Sequence, residues 1–453
     1  MTKSQKLVLW VAVLASFVAF LDGSVVNVAL PAISGELGGG LATQQWAVDA
    51  YLITLGSFIL VAGSFSDLFG RKKVLVYGLA GFGLTSLLCA IAPSPLFLII
   101  ARALQGIAGA LLVPSSLALI ISAFSGSAQG KAIGQWTAWT GIAFLIGPLL
   151  GGFLVDAASW RLIFAINVLP IAVVLWLARN LDIEEHIREN TKVDVPGALL
   201  CAVGLGLPVY ALIEQPQYGW GSPMIYLSLV VGTAALAAFL WHEKRAAHPM
   251  LPLSLFAIRN FSVGNVATAA IYAGLAALTF LVAIFLQQVG GYSATGAGMA
   301  LLPITIIMFF LSSHFGALSG KYGPRLFMTI GPILAGVGTL LFLRVDESVA
   351  YTSQVLPGVL LFGLGLSITV APLTAAILGA IHSRQAGIGS AVNNAVSRIA
   401  GLIAIAGLGL LTGTTLNLAG FHRGIILTAV LLMVGGIISG IGIQNDREAS
   451  AEL

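Results

Sequence analysis

Charge and cysteine are what this sequence lacks: 8% of its 453 residues are Asp, Glu, Lys or Arg, and two are cysteine. A water-soluble domain carries about a quarter of its residues as charges, so no long stretch of this chain reads as one. The two thiols, Cys89 and Cys201, fall in different apolar runs near opposite faces, which excludes a disulfide framework and leaves them as small packing residues. No GxxxxGK[ST] phosphate loop occurs, which excludes ATP as a driving force. His, Cys and acidic residues show no metal-ligand spacing, and no nucleophile stands beside a base. Neither an enzyme nor a metal or other cofactor is therefore expected.

What is abundant is apolar sequence. Hydrophobic residues make up 58% of the chain, and mean hydropathy is +1.00. Since ~20 residues cross a bilayer, fourteen candidate spans follow, at approximately 7–32, 45–66, 74–93, 95–124, 131–156, 160–179, 196–213, 223–241, 262–288, 297–318, 326–345, 354–380, 387–414 and 423–443. The first runs far beyond a signal-peptide h-region and carries Asp22 and Asn27, so it reads as a retained span. Threaded from a cytoplasmic amino terminus, the spans put sixteen of the 21 Lys and Arg on the cytoplasmic side and only Arg161, Arg344 and Arg423 outside. That predicts a multi-pass protein of the cytoplasmic membrane with both termini inside, and it accounts for a pI near 9.1 without a nucleic-acid partner.

Residues 215–222 contain no Lys or Arg, whereas 180–195 and 242–260 are charged, so spans seven and eight read as a hairpin inserted between two six-span halves. The expected fold is all-α: a six-helix bundle over 1–179, the hairpin with its flanking loops over 180–260, a second six-helix bundle over 261–443 and a tail over 444–453. The lipid bilayer is the partner this composition demands, and a monomer is expected. The halves also read as copies. GSFSDLFGRK at 63–72 and GALSGKYGPR at 316–325 share Gly63/Gly316, Ser66/Ser319, Gly70/Gly323 and Lys72/Arg325 at a constant offset of 253 residues, with Gly320 where the first copy has Asp67. Parallel repeats of this kind are a signature of secondary transporters, whose substrate site lies near the midplane.

Asp22 is the residue that most needs a reason, because an ionisable group inside a span is costly and by default marks a functional site. At ~1.5 Å per residue, Asp22 lies ~15 Å from the outer end of span one, Arg102 ~10 Å into span four and Gln105 ~15 Å, so the three share a level and can meet. Desolvation favours a neutral carboxyl and a guanidinium favours the carboxylate; proton coupling requires a balance of the two. The alternative is a static Asp22–Arg102 pair that joins two helices.

Other candidates carry plainer alternatives. Asp49, about one turn into span two and near the outer surface, suits a helix amino terminus or a proton-carrying role, while Trp46 and Tyr51 beside it fit an interfacial aromatic belt. Trp136 and Trp139 face either a substrate cavity or a neighbouring helix. In the second half no Asp or Glu falls within a span, yet Arg398 lies about three turns into span thirteen. Asn393 and Asn394 stand one turn earlier and Gln287 and Gln288 end span nine; each either contacts substrate or bonds between helices. His314, near the cytoplasmic end of span ten, reads as structural.

Four ordered motifs resemble the major facilitator superfamily, and within it the fourteen-span drug:proton antiporters, over essentially the whole chain. LDGSVVNVALP at 21–31 matches the family's intramembrane motif on Asp22, Asn27, Ala29 and Pro31. Gly63, Asp67, Gly70, Arg71 and Lys72 match the loop signature between spans two and three, with Leu68 where a basic residue is usual. Span four supplies Arg102, Gln105, Gly106 and Gly109, and GIAFLIGPLLGG in span five supplies Gly141, Gly147, Pro148, Gly151 and Gly152 of the antiporter motif. The resemblance implies multidrug efflux: protons exchanged for amphipathic, often cationic, small molecules by alternating access. It implies proton handling by Asp22, Arg102 and Asp49, and a cytoplasmic gate in the loop at 63–72. Asn27, Gln105, Trp136, Trp139, Gln288, Asn394 and Arg398 are candidates for substrate contact. A dedicated exporter of one metabolite, antibiotic or lipid is the alternative; a non-transporting receptor or scaffold is disfavoured, having no use for Asp22 and the loop motif together.

Overall fold

The computed structural model describes residues 1–124, 126–181, 193–246, 249–382 and 385–445; within these, the side chains of residues 60, 63, 64, 67, 126, 127, 130, 145 and 386 lie outside the description. The regular elements among the described residues are helical. In chain order they are α1 (Lys3–Leu37), α2 (Gly40–Phe69), α3 (Arg71–Ala90), α4 (Pro95–Ala123), α5 (Gly126–Ala157), α6 (Leu162–Ala165), α7 (Val168–Arg179), α8 (Val195–Tyr218), α9 (Pro223–Arg245), α10 (Arg259–Gln288), α11 (Ala294–Tyr322), α12 (Pro324–Leu340), α13 (Leu356–Gly379), α14 (Ala386–Thr412) and α15 (Leu418–Gly442). Among the described residues, 13 helical stretches, α6 and α7 together counting as one, are long and apolar enough to cross a membrane. The remaining long helix, α2, has 30 residues. Large apolar side chains such as Tyr77, Leu169, Phe310 and Ile441 are exposed around the helices, an arrangement that suits lipid rather than water.

The first two helices overrun the apolar runs that announce them: the run at 7–32 lies within Lys3–Leu37, and that at 45–66 within Gly40–Phe69. Hydropathy reports only the segment that must avoid water, whereas the ends are set by capping chemistry. Thr2 and Gln5 form a reciprocal capping box at the start of α1. Ser94 caps α4 ahead of Pro95, and Ser293 and Asn417 cap α11 and α15. Span six departs further from expectation, for it is broken into α6 and α7. Pro170 has no N–H for the Ile166 carbonyl, and Asn167 N–H bonds back to Phe164 O, three residues away rather than four.

The chain divides into two compact units, 1–211 with 221–250 and 212–220 with 251–453. In the first, α1 packs on α4 and α5, α2 on α4, and α3 on α4 and α7. In the second, α10 packs on α14 and α15, α11 on α13, and α12 on α13 and α15. The pairings α1/α5, α2/α4 and α3/α4 thus recur as α10/α14, α11/α13 and α12/α13. The repeated loops share local geometry as well. Gly70 (φ +95°) and Gly323 (φ +86°) turn the chain through the left-handed region that only glycine enters cheaply. Lys72 Nζ then donates to Leu181 O (2.5 Å), just beyond α7, and Arg325 Nε donates to Gly440 O (2.8 Å), near the end of α15. Each cation therefore meets a carbonyl at or just beyond the carboxyl end of a helix of its own unit, where the helix dipole favours positive charge.

The hairpin α8–α9 is close-packed through glycine: a Cβ on Gly232 would stand 2.3 Å from Pro208 Cδ, and one on Gly204 2.8 Å from Leu236 Cγ. At its base Asp194 accepts the Gly197 N–H, capping α8, and pairs with His242 Nε2 (2.7 Å) in the last turn of α9.

Candidate functional site

Asp22 sits mid-way along α1 with no exposure to solvent; α4 and the α6–α7 break reach its carboxylate, and α2 and α3 hold the groups that do. Arg102 Nη1 from α4 donates to Oδ2 at 2.7 Å. Gln105 Nε2, one turn further along α4, donates to Oδ1 at 3.0 Å, and Asn167 Nδ2 from the α6–α7 break donates to the same oxygen at 2.8 Å. Ser86 on α3 accepts from both amides, at 2.9 Å from Gln105 and 3.4 Å from Asn167. The α2 helix supplies the Ala47 carbonyl to Arg102 Nε (2.8 Å) and the Tyr51 ring, whose centroid lies 4.4 Å from the guanidinium carbon. Arg102 is itself 1% exposed. Removing one member of a buried pair like this costs about 3–5 kcal/mol, because the survivor is left charged and dry.

Sequence reasoning missed Asn167 and Ser86. Asn167 had a legible signal: it is a polar residue inside an apolar span, seven residues from a start at 160, hence ~10 Å deep by the arithmetic that placed Arg102. Gln105, expected among substrate contacts, is instead fully buried and bonded to Asp22 and Ser86. Tyr51 corrects the belt reading: it is 3% exposed and lies under Arg102. Trp46 is half-buried against Tyr210 of α8, ring centroids 6.2 Å apart. Both differ because α2 begins at Gly40, earlier than its apolar run, which moves every residue after it deeper. Asp49 shifts for the same reason. It stands more than two turns into α2, is fully buried, and neither carboxylate oxygen has a hydrogen-bond partner.

The antiporter-motif glycines of α5 press on α1 beside Asp22. A Cβ on Gly147 would lie 1.8 Å from Ser24 Oγ and one on Gly151 2.9 Å from Val25 O, whereas Gly141 has open space. Ser24 Oγ also donates to Ala143 O of α5 (3.1 Å) and to Leu21 O of α1 (2.9 Å). Gly152 is buried and Pro148 half-buried within α5. Gly106 lets α4 meet α2, since a Cβ there would come 2.3 Å from Tyr51 O. Together these close approaches fix the helices that carry the network.

A family model for the Major Facilitator Superfamily matches residues 12–405. The chain belongs to that superfamily. Among curated relatives, the multidrug resistance protein Stp of Mycobacterium tuberculosis (strain CDC 1551 / Oshkosh) is 34% identical over 414 residues, covering 90% of this chain and 76% of the relative. The puromycin resistance protein of Streptomyces alboniger is 34% identical, covering 86% and 78%. The methylenomycin A resistance protein of Bacillus subtilis (strain 168) is 33% identical, covering 91% and 88%. Of solved structures, the peptide transporter POT in complex with sulfate has a TM-score of 0.71 at 15% identity, covering 95% and 93%. The inward open xylose transporter XylE from E. coli has 0.66 at 14%, covering 97% and 96%. Major Facilitator Superfamily proteins move small molecules across membranes, and this member is a multi-pass membrane protein of all-α major facilitator fold.

The other candidates are spread through this framework. The stretch expected as a loop is helical on both sides of Gly70: Gly63 and Asp67 lie in the last turns of α2, with the Asp67 side chain outside the description, and Arg71, the first residue of α3, donates to Ala118 O (3.2 Å). Trp136 Nε1 donates to Ser16 Oγ on α1 (3.0 Å), and Trp139 is 45% exposed with its ring 5.4 Å from that of Trp10. Asn27 is half-buried on α1. In the second unit Asn393 Nδ2 bonds α10 through Asn265 Oδ1 (3.2 Å) and Thr268 Oγ1 (2.9 Å). Asn394 and Arg398 are half-buried on α14, and Gln288 is exposed at the end of α10. Gln287 donates to Ala283 O one turn back in its own helix, and His314 is exposed on α11.

Proposed function

We propose that this chain is a proton-coupled efflux antiporter of the fourteen-span drug:proton group, exporting amphipathic compounds across the cytoplasmic membrane by alternating access. The observation that carries the reading is that every donor to Asp22 has a second acceptor within reach. Arg102 also bonds Gln105 Oε1 (2.7 Å) and Ala47 O; Gln105 and Asn167 also bond Ser86. When the carboxylate takes a proton, the buried guanidinium and amides keep partners, so the cost of orphaned polar groups is avoided. A purely static ion pair has no need of this redundancy. Asp49, buried without a donor, is a second site of proton uptake, since a proton is the compensation that geometry leaves open.

The names of the relatives support drug export, and resistance proteins for puromycin and methylenomycin A favour a second reading in which one antibiotic is the substrate. In either reading the loop from Gly63 to Lys72 serves as gate, Asn27, Trp136, Trp139, Gln288, Asn394 and Arg398 are available to substrate, both termini are cytoplasmic and the protein acts as a monomer. The hairpin between two six-span bundles, with limits near 180 and 260, is part of the proposal. Dye and antibiotic uptake into everted vesicles, with and without a pH gradient, tests it. Gradient-dependent uptake of several unrelated cationic amphipaths supports multidrug antiport; uptake of one compound supports the narrower reading; uptake indifferent to the gradient refutes coupling.

A further inference from the structure

Asp49 is the buried acid that the network around Asp22 leaves aside, and its position on α2 relates it to the inserted hairpin. The α4-facing stripe of α2 contains Ala47, Tyr51 and Thr54: Ala47 O accepts Arg102, Tyr51 meets Gly109, and Thr54 Oγ1 donates to Ala103 O (2.7 Å). At 100° per residue Asp49 lies on the side of α2 away from that stripe. On that side, the residues one turn before and one turn after Asp49 each meet α8. Trp46, one turn before Asp49, packs on Tyr210. Ile53, one turn after it, lies 3.8 Å from where a Cβ on Gly206 would stand. These α8 contacts bracket the carboxyl above and below, in the same unit of the fold.

We infer that α8 is the cover of Asp49: the inserted hairpin lays Tyr210 and Gly206 along α2 on either side of this carboxyl and shuts water away from it. At Gly206 a Cβ would reach Ile53 only at ordinary contact distance, so a bulkier side chain is needed to push the helices apart, and Tyr210 provides the ring that fills the space beside Trp46. The pair of helices is tied as one body by the Gly204, Gly232 and Asp194–His242 contacts, so α8 lifts from α2 only with its partner α9. The consequence for transport, that the hairpin sets when Asp49 exchanges its proton, rests on the proposed role of that residue; the cover itself does not.

A water-soluble carbodiimide with glycine ethyl ester converts accessible carboxyls to amides, and peptide mass spectrometry reads the extent at each acid in vesicle-embedded protein. Wild type should leave Asp49 unmodified while the exposed Asp346 reacts. Tyr210→Ala, which removes the ring, and Gly206→Leu, which wedges α8 off Ile53, should each raise modification of Asp49 roughly ten-fold, as expected when local opening becomes easier, with Asp346 unchanged. Asp49 reacting as fast as Asp346 in wild type, or at the wild-type rate in both variants, overturns the inference. Asp49→Asn separates the two ideas. If it exports with full dependence on the pH gradient while the labelling rises as expected, the cover stands and the proton role of Asp49 falls.

Discussion

Asn167 Nδ2 stands 2.8 Å from Asp22 Oδ1, offered from the break between α6 and α7. The break and the bond belong together, because Pro170 prevents a regular helix there and leaves Asn167 at the turn that faces α1. Asn167 Oδ1 is buried with no hydrogen-bond partner, so the amide is held by its donor side alone. Asn167→Ala should slow gradient-driven export several-fold and leave membrane insertion intact. Combined with Arg102→Ala the losses should be less than additive, because both act on one carboxylate; strict additivity in initial rates of dye uptake would place Asn167 outside the coupling unit.

Asp22→Asn keeps the shape of the side chain and removes its exchangeable proton. Export driven by a pH gradient should fall to background, with protein level in the membrane near wild type. Asp49→Asn is expected to be milder or substrate-dependent. Active transport by Asp22→Asn at the wild-type rate would sink the assignment.

Arg102→Ala withdraws the guanidinium and leaves the carboxylate buried beside two amides only. The positive charge that favours the carboxylate is then gone, so the pH optimum of export should move upward. Arg102→Lys should restore it only in part, since an ammonium cannot bond Asp22, Gln105 and Ala47 together as the planar fork does. An unchanged profile in the alanine variant would separate Arg102 from the titrating group.

Gly147 and Ser24 offer a packing test with internal compensation. Gly147→Ala forces a methyl into the Ser24 hydroxyl and should destabilise by about 1–3 kcal/mol, read as a lower Tm in detergent. Ser24→Ala should recover part of that loss, and Gly141→Ala, with open space around it, should be neutral. Equal Tm values for all three would contradict the close contact of α5 with α1.

The loop between α12 and α13 gives a pH test outside the spans. The Ser348 hydroxyl, the Gln354 amide and the Ser348 N–H hold the Asp346 carboxyl below the ordinary carboxylate range. A group lowered in the folded state stabilises above its unfolded value, about 3.9 for Asp, and loses that contribution as pH falls through the folded value. Asp346→Asn should therefore make the loop more sensitive to protease at neutral pH, with the difference from wild type shrinking in acid.

Much of this was legible in the sequence because membrane insertion writes itself in hydropathy and charge. Depth counting brought Asp22, Arg102 and Gln105 to one level, where the structure joins them. It misplaced Asp49 and Tyr51 because helix ends depend on glycine turns and caps, which lie beyond the apolar run. It took span six as continuous because a short break costs little hydropathy. The contacts of α8 with α2 left no trace at all: Trp46 and Ile53 are ordinary span residues, and only tertiary structure shows what faces them.

Cys89 bears on how this protein can be probed. Its thiol is buried with Sγ 3.6 Å from Gln105 Oε1, the atom that also receives Arg102. A cysteine-free background, the usual starting point for spectroscopic labels, would commonly replace it with serine. The hydroxyl is a stronger donor than a thiol and would compete with the guanidinium for that oxygen. Alanine is the substitution that leaves the acceptor to Arg102, so a labelled protein built on serine would report on an altered Asp22–Arg102–Gln105 network even before any label is attached.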